Sequence, residues 1–229
     1  VAVSAAATAA ITCPSGGCAV DSTKLSLTGI NLGQAVVAVL AVLVISGEYS
    51  TRMIRVTLTA MPRRTTVLAA KAAVLTGIVV TAATIAVLAS LLAGRLILPG
   101  HGFTPAHGYP PLSLTDGPTL RAAAGSVLYL ALIALLSLGA ATAVRDSATA
   151  IGIALGLLYL FPIVTQAVSD PSWKRHLQQI GPMTAGLAIQ ATTNLRGLPI
   201  SPWVGLGVLA AWAAAALLSG GLLLLLRDV

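Results

Sequence analysis

The stretch GEYSTRMIRVTLTAMPRRTTVLAAK (Gly47–Lys71) decides how the chain is read. It gathers Arg52, Arg55, Arg63, Arg64 and Lys71 against one acid, Glu48, and an apolar run stands on either side of it. Working outward, complete apolar runs cover about 29–46, 70–94, 121–144, 148–168 and 203–226. Each is near the roughly 20 residues that carry a helix across a bilayer. The helix is the form that satisfies its own backbone there. The 13 Lys and Arg and the 6 Asp and Glu fall at the edges of these runs or between them.

Composition agrees with this reading. The chain of 229 residues is 57% hydrophobic and 8% charged, where a soluble domain carries about 25% charged residues. So little charge cannot cover a water-facing surface, and an all-α integral membrane protein is expected. The net charge of +7 has no soluble domain to sit on. It points to orientation and lipid contact rather than nucleic acid.

The opening residues VAVSAAATAAI are apolar but too few to span. They are expected to be the tail of a first helix, about 1–12, whose start lies outside this sequence. A signal peptide is the alternative, and it lacks a basic leading region. The expected total is then six spans in one transmembrane domain, 1–229.

Lys and Arg collect in cytoplasmic loops near span ends. The basic segment 47–69 is therefore expected in the cytoplasm, with the turn at Arg145–Asp146 and the tail at Arg227–Asp228. Segments 13–28, 95–120 and 169–202 then lie outside. In the first of these, CPSGGC sets Cys13 and Cys18 around a short Pro- and Gly-containing turn. Outside the cytoplasm a disulfide can persist, so the two form either a short-loop bridge or a pair of free thiols. No His or third Cys stands nearby to suggest a metal. Segment 95–120 is rich in Pro and reads as irregular. Segment 169–202 mixes helical stretches with Gly and Pro, as short helices on or dipping into the outer face would.

Two features belong to the fifth run. Gly152 and Gly156 form a G-x-x-x-G pair, a spacing that lets helices approach closely. Packing inside one subunit is preferred here over a dimer seam. Pro162 is expected to kink the same helix near its outer end.

The basic segment also has shape. If 49–61 is helical, Ile54, Leu58 and Met61 form an apolar stripe, with Arg52 and Arg55 on another face. Pro62 then disfavours helix at Met61. Such a helix can lie on anionic lipid, dock in a partner's groove, or simply connect two spans.

A run ending in GEYSTRMIR, followed by LTAMPRRTTVLAAK, resembles the permease subunits of bacterial type-2 ABC exporters, particularly actinobacterial ones. GPMTAGLAI with SPWVGLGVLAAWAAAALLSGGLLLLLRDV is similar to the family's last outer helix, final span and terminal Arg-Asp. AVRDSATAIGIALGLL, between the fourth and fifth spans, fits as well. The resemblance covers most of 30–229.

The resemblance implies six helices, both termini in the cytoplasm and location in the cell membrane. It implies pairing with a second permease, identical or a paralogue, and docking onto a separate ATPase subunit. That subunit would hold ATP and Mg, so no cofactor and no catalytic residue is expected in this chain. The segment after the second span would be a coupling helix seated on the ATPase. Glu48, Tyr49, Arg52, Arg55, Pro62, Arg63 and Arg64 occupy the matching motif, and the stripe Ile54, Leu58 and Met61 would be its anchor. Departures from the family pattern are the missing start and the long loop 95–120.

Other classes find less support. No G-x-x-x-x-G-K-[ST] phosphate loop is present, so nucleotide binding of that kind belongs to a partner. Ion-coupled carriers usually carry ionisable groups inside the membrane, and the interiors of the five full spans have none. His101, His107 and His176 lie in outer loops without carboxylates at metal-ligand spacing, which counts against a membrane enzyme. A carrier, a channel or a non-transporting scaffold is the alternative function. Gln34 and Gln166 are candidate polar groups along a transport path, though Gln34 reads better as paired with a neighbouring helix. A largely apolar path points to an amphiphilic or hydrophobic cargo: a drug, a lipid-like metabolite or a modified peptide.

Overall fold

A computed structural model of the chain describes residues 1–11, 20–50, 64–104, 116–144 and 146–226. Among these residues every regular element is helical and there is no strand. The helices are α1 (Ala2–Ala10), α2 (Ser22–Ser26), α3 (Ile30–Ser50), α4 (Arg64–Ile97), α5 (Gly117–Val144), α6 (Ser147–Ala167), α7 (Pro171–Ile180), α8 (Pro182–Gly186) and α9 (Pro202–Leu226). Single 3-10 turns cover Leu98–His101, Leu187–Gln190 and Leu195–Gly197.

Among the described residues four helices are long and apolar enough to cross a membrane: α4, which runs on into its 3-10 turn, α5, α6 and α9. The backbone of α3 is helical over 21 residues and apolar over Ile30–Ile45. With nine residues, α1 is well short of a span.

Local chemistry sets the helix ends. Asp146 caps α6 by accepting from the Thr149 amide (2.7 Å) and hydroxyl (2.6 Å). Asp170 caps α7 by accepting from the amides of Ser172 (2.8 Å) and Trp173 (3.3 Å). Pro171 follows at the first helical position, where a missing N–H is harmless. At the far end of α7, Gly181 precedes Pro182, and the residue before a proline leaves the α region. Pro162 sits inside α6, where it removes one helical hydrogen bond, and the helix continues to Ala167.

The bundle is organised around α5. Of its most apolar window 61% is buried, against 22% for α4, α6 and α9. It packs on α9, α3, α4 and α6. Tyr129, Ile133, Leu136 and Leu138 of α5 are fully enclosed, with Leu158 of α6, Leu209 of α9 and Val42 of α3. Small residues let the neighbours come close. A Cβ added to Gly139 would lie 2.4 Å from the Ala216 carbonyl carbon, and one on Gly220 only 2.0 Å from Thr142 Oγ1. The backbones of α5 and α9 therefore touch at this crossing.

The G-x-x-x-G pair behaves differently from expectation. Gly152 and Gly156 are exposed, and a Cβ on either meets nothing within 4 Å among the described residues. The expected packing inside the subunit is absent at this face. The buried face of α6 is instead built from Ala150, Ala154 and Leu158, with Thr165 farther along.

Segment 169–202 forms a re-entrant cap. Its first helix, α7, is exposed along much of its length. Then α8 and the turn Leu187–Gln190 push into the bundle, burying Pro182, Ala185, Gly186, Ala188, Ile189 and Gln190. Glycines make the fit: a Cβ on Gly125 would lie 2.0 Å from Ile189 Cγ1, and one on Gly205 2.1 Å from the Ala185 oxygen.

Candidate functional site

The polar interior of the bundle gathers where the cap meets α3, α5 and α6. Gln34 of α3 is 0% exposed. Its Oε1 accepts from the Tyr129 hydroxyl of α5. Its Nε2 donates to the Tyr159 hydroxyl of α6 (3.3 Å) and lies 3.2 Å from Met183 Sδ of α8. Tyr159 in turn donates to the Asn31 carbonyl at 2.8 Å. A buried amide needs partners on both ends, and here three other elements, α5, α6 and α8, supply them. Gly186 allows α8 to lie on the Tyr129 ring, since a Cβ there would be 2.7 Å from Cε2. The knot contains no carboxylate, amine or imidazole, so it joins helices without holding a charge.

A second polar cluster ties the cap to the rim. Asp21 caps α2 by accepting from the Lys24 amide (3.1 Å). It also accepts from the Thr192 amide (2.5 Å), the Thr192 hydroxyl (2.7 Å) and the Thr193 amide (3.1 Å). Burial pushes the Asp21 carboxyl pKa up. The bonds from Thr192, Lys24 and Thr193 outweigh that and hold it below the ordinary 3.8. One turn into α5, Arg121 Nη2 donates to the Ala191 carbonyl at 2.6 Å. Its buried Nε has no partner among the described residues. Deeper along α5, Ser126 accepts from Gln190 Nε2 at 3.3 Å. Next to Asp21 a pocket of about 430 Å³ opens between Val20–Thr28 and Ala191–Leu198. Asn194 on its wall adopts φ 50°, a left-handed conformation that Asn tolerates better than most residues.

The sequence-derived candidates fall in three groups. Gln34 is buried in the knot, whereas Gln166 is exposed on α6; the structure does not bring the two together. Glu48 and Tyr49 fall on the last turn of α3, and Arg64 opens α4, placed by backbone alone. Arg52, Ile54, Arg55, Leu58, Met61, Pro62 and Arg63 lie outside the described residues, as do Cys13 and Cys18. Of the loop histidines, His107 is also outside them. His176 is exposed on α7 with Nδ1 3.0 Å from the Ser172 carbonyl. No group of three His, Cys, Asp or Glu side chains that could hold a metal occurs among the described residues.

Sequence reasoning missed the Asp21–Thr192 clamp and the tyrosine partners of Gln34. A signal for the latter was present. Tyr129 and Tyr159 both sit inside apolar runs, and a buried tyrosine hydroxyl normally finds a hydrogen-bond partner. Nothing local marks Asp21 as the partner of a residue 171 positions away.

Compared with protein-family models, with curated proteins and with solved structures, the chain matches none.

Proposed function

We propose that the chain is the membrane-spanning permease subunit of an ATP-driven ABC exporter. It would move an amphiphilic or hydrophobic cargo out of the cell and work with a separate ATPase subunit that holds ATP and Mg. A second permease, the same chain or a paralogue, completes the transport path.

The observation that carries this reading is the basic stretch Gly47–Lys71 and where its ends lie. It leaves the end of α3 and returns at the start of α4. That end of the bundle is also where α9 finishes, since a Cβ added to Gly221 of α9 would lie 3.7 Å from Leu68 Cδ2 of α4. The re-entrant cap occupies the other end. A basic stretch joining α3 to α4 at one end and the cap at the other suit a machine driven from the cytoplasm. The docking anchor would be Ile54, Leu58 and Met61. Glu48, Tyr49, Arg52, Arg55, Pro62, Arg63 and Arg64 would frame it. Nucleotide-driven movement of that segment would tilt α3 and α4 and switch the access of the path.

The test is purification of the full-length protein from its own membranes in mild detergent, followed by assay of ATP hydrolysis in the eluate. Co-purification of an ATPase, lost in Ile54→Asp or Leu58→Asp, is the expected result. An intact protein that brings no ATPase, with neither substitution altering any complex, refutes the reading.

A further inference from the structure

The permease reading gives no role to α7. Its sequence, PSWKRHLQQI, places Trp173, Leu177 and Ile180 at i, i+4 and i+7, along one edge. Trp173 is 66% and Ile180 53% exposed. Lys174 and Arg175 are also exposed, and the helix contains no acid. The neighbouring carboxylate, Asp170, is engaged as the helix cap.

The helix slopes inward. It starts just past the end of α6, and at about 1.5 Å per residue it is about 15 Å long. Its last carbonyl, Ile180 O, accepts from Trp212 Nε1 at 2.9 Å. Trp212 stands about 15 Å along α9 from Pro202 and packs edge-on against Phe161 of α6, with ring centroids 6.4 Å apart. The cations and Trp173 therefore sit near the rim, while Leu177 and Ile180 descend toward the level of Phe161 and Trp212. Large apolar side chains are exposed on both flanking spans, Ile163 on α6 and Trp203 and Val204 on α9. Tryptophan and basic residues at a span end are the usual anchors at a membrane interface.

We infer that α7 is a binding site for anionic phospholipid, with the headgroup phosphate at Lys174 and Arg175 and the acyl chain along Trp173, Leu177 and Ile180. The charge selects the headgroup, and the slope lets one lipid use both halves of the helix. Leu177 and Ile180 lie deeper than Lys174 and Arg175, as acyl chain lies below headgroup, and Trp173 stands at the level of the cations, the usual interfacial place of tryptophan. This inference needs the membrane-embedded bundle but not the exporter reading.

The test uses the full chain reconstituted in bilayers of phosphatidylcholine and phosphatidylglycerol, with one or the other brominated on its acyl chains. The difference in tryptophan fluorescence between the wild type and Trp173→Phe isolates Trp173. Quenching by brominated lipid is expected, with a preference for phosphatidylglycerol of roughly fivefold or more, since a basic residue near an anionic surface contributes about 1 kcal/mol. In K174Q/R175Q the quenching should persist and the preference fall to about one. Both substitutions are on exposed positions, and an unchanged thermal unfolding midpoint verifies folding. A Trp173 signal quenched by aqueous iodide and not by brominated lipid overturns the inference. So does a signal that neither reaches, which would mean another protein surface covers the helix. Equal quenching by both lipids in the wild type also refutes it.

Discussion

Gln34 shows how one polar side chain inside an apolar bundle can specify where four elements meet. Deleting its amide leaves the Tyr129 hydroxyl buried without a partner, and an orphaned buried group costs about 1–3 kcal/mol. Gln34→Leu should therefore destabilise the protein by about 2 kcal/mol, read as a drop in thermal stability in detergent. Tyr129→Phe should do the same to the Gln34 oxygen. The double variant should lose clearly less than the sum of the two, because residues in direct contact couple; simple additivity would argue that the bond contributes nothing.

Asp21 works at the same scale by charge. Its folded pKa is depressed below 3.8. Its stabilising contribution is therefore present above the unfolded value and lost as pH falls through the folded one. Acidification below about pH 4 should loosen the contact with Thr192 and Thr193. Asp21→Ala should remove about 2 kcal/mol at neutral pH, combining a lost helix cap with lost tertiary hydrogen bonds. The gap in melting temperature between wild type and Asp21→Ala should narrow below pH 4; a gap independent of pH would contradict this account.

At the scale of elements, glycine position decides which helices may touch. Gly139 of α5 faces the Ala216 backbone of α9, so Gly139→Val must move a backbone rather than a side chain. A loss of about 3 kcal/mol is expected, toward the upper range for overpacking. Gly152 and Gly156 have open space around them. There G152A/G156A should leave the fold intact and raise stability by about 0.5–1 kcal/mol per site, through helix propensity alone. Thermal unfolding of the variants in one detergent separates the two behaviours. The local sequence treats these glycines alike; G-x-x-x-G spacing does not say which face meets a partner, and α6 turns a different face inward.

For the whole molecule, the central place of α5 has a dynamic consequence. Elements with the most buried contacts open least often. Amide hydrogen exchange should be slowest over the middle of α5, near Ser126–Thr142, and faster in α7 and at the ends of α4. Exchange as fast in α5 as in α7 would show that the central helix is not the stable core. The two ends of the bundle also differ in kind. At one end α3 and α4 are joined by the stretch whose sequence is basic, Gly47–Lys71. The other is closed by the cap, through bonds that join residues 70 to 171 positions apart. The division suits the transport role proposed above.

The amino-acid sequence by itself determined the helical class, four of the five complete apolar runs as helices long and apolar enough to cross a bilayer, and the short helices of 169–202. Those features follow from local terms: hydrophobic length, caps such as Asp146 and Asp170, and the backbone limits of proline. The tertiary structure alone decided that α5 is central, that α8 enters the core, that Gln34 meets Tyr129 and that Asp21 grips Thr192. The spanning helices are apolar on nearly all sides, so periodicity marks no inward face. What selects the face is the close fit of small residues and the pairing of a few distant polar groups, and neither is visible until the helices are side by side.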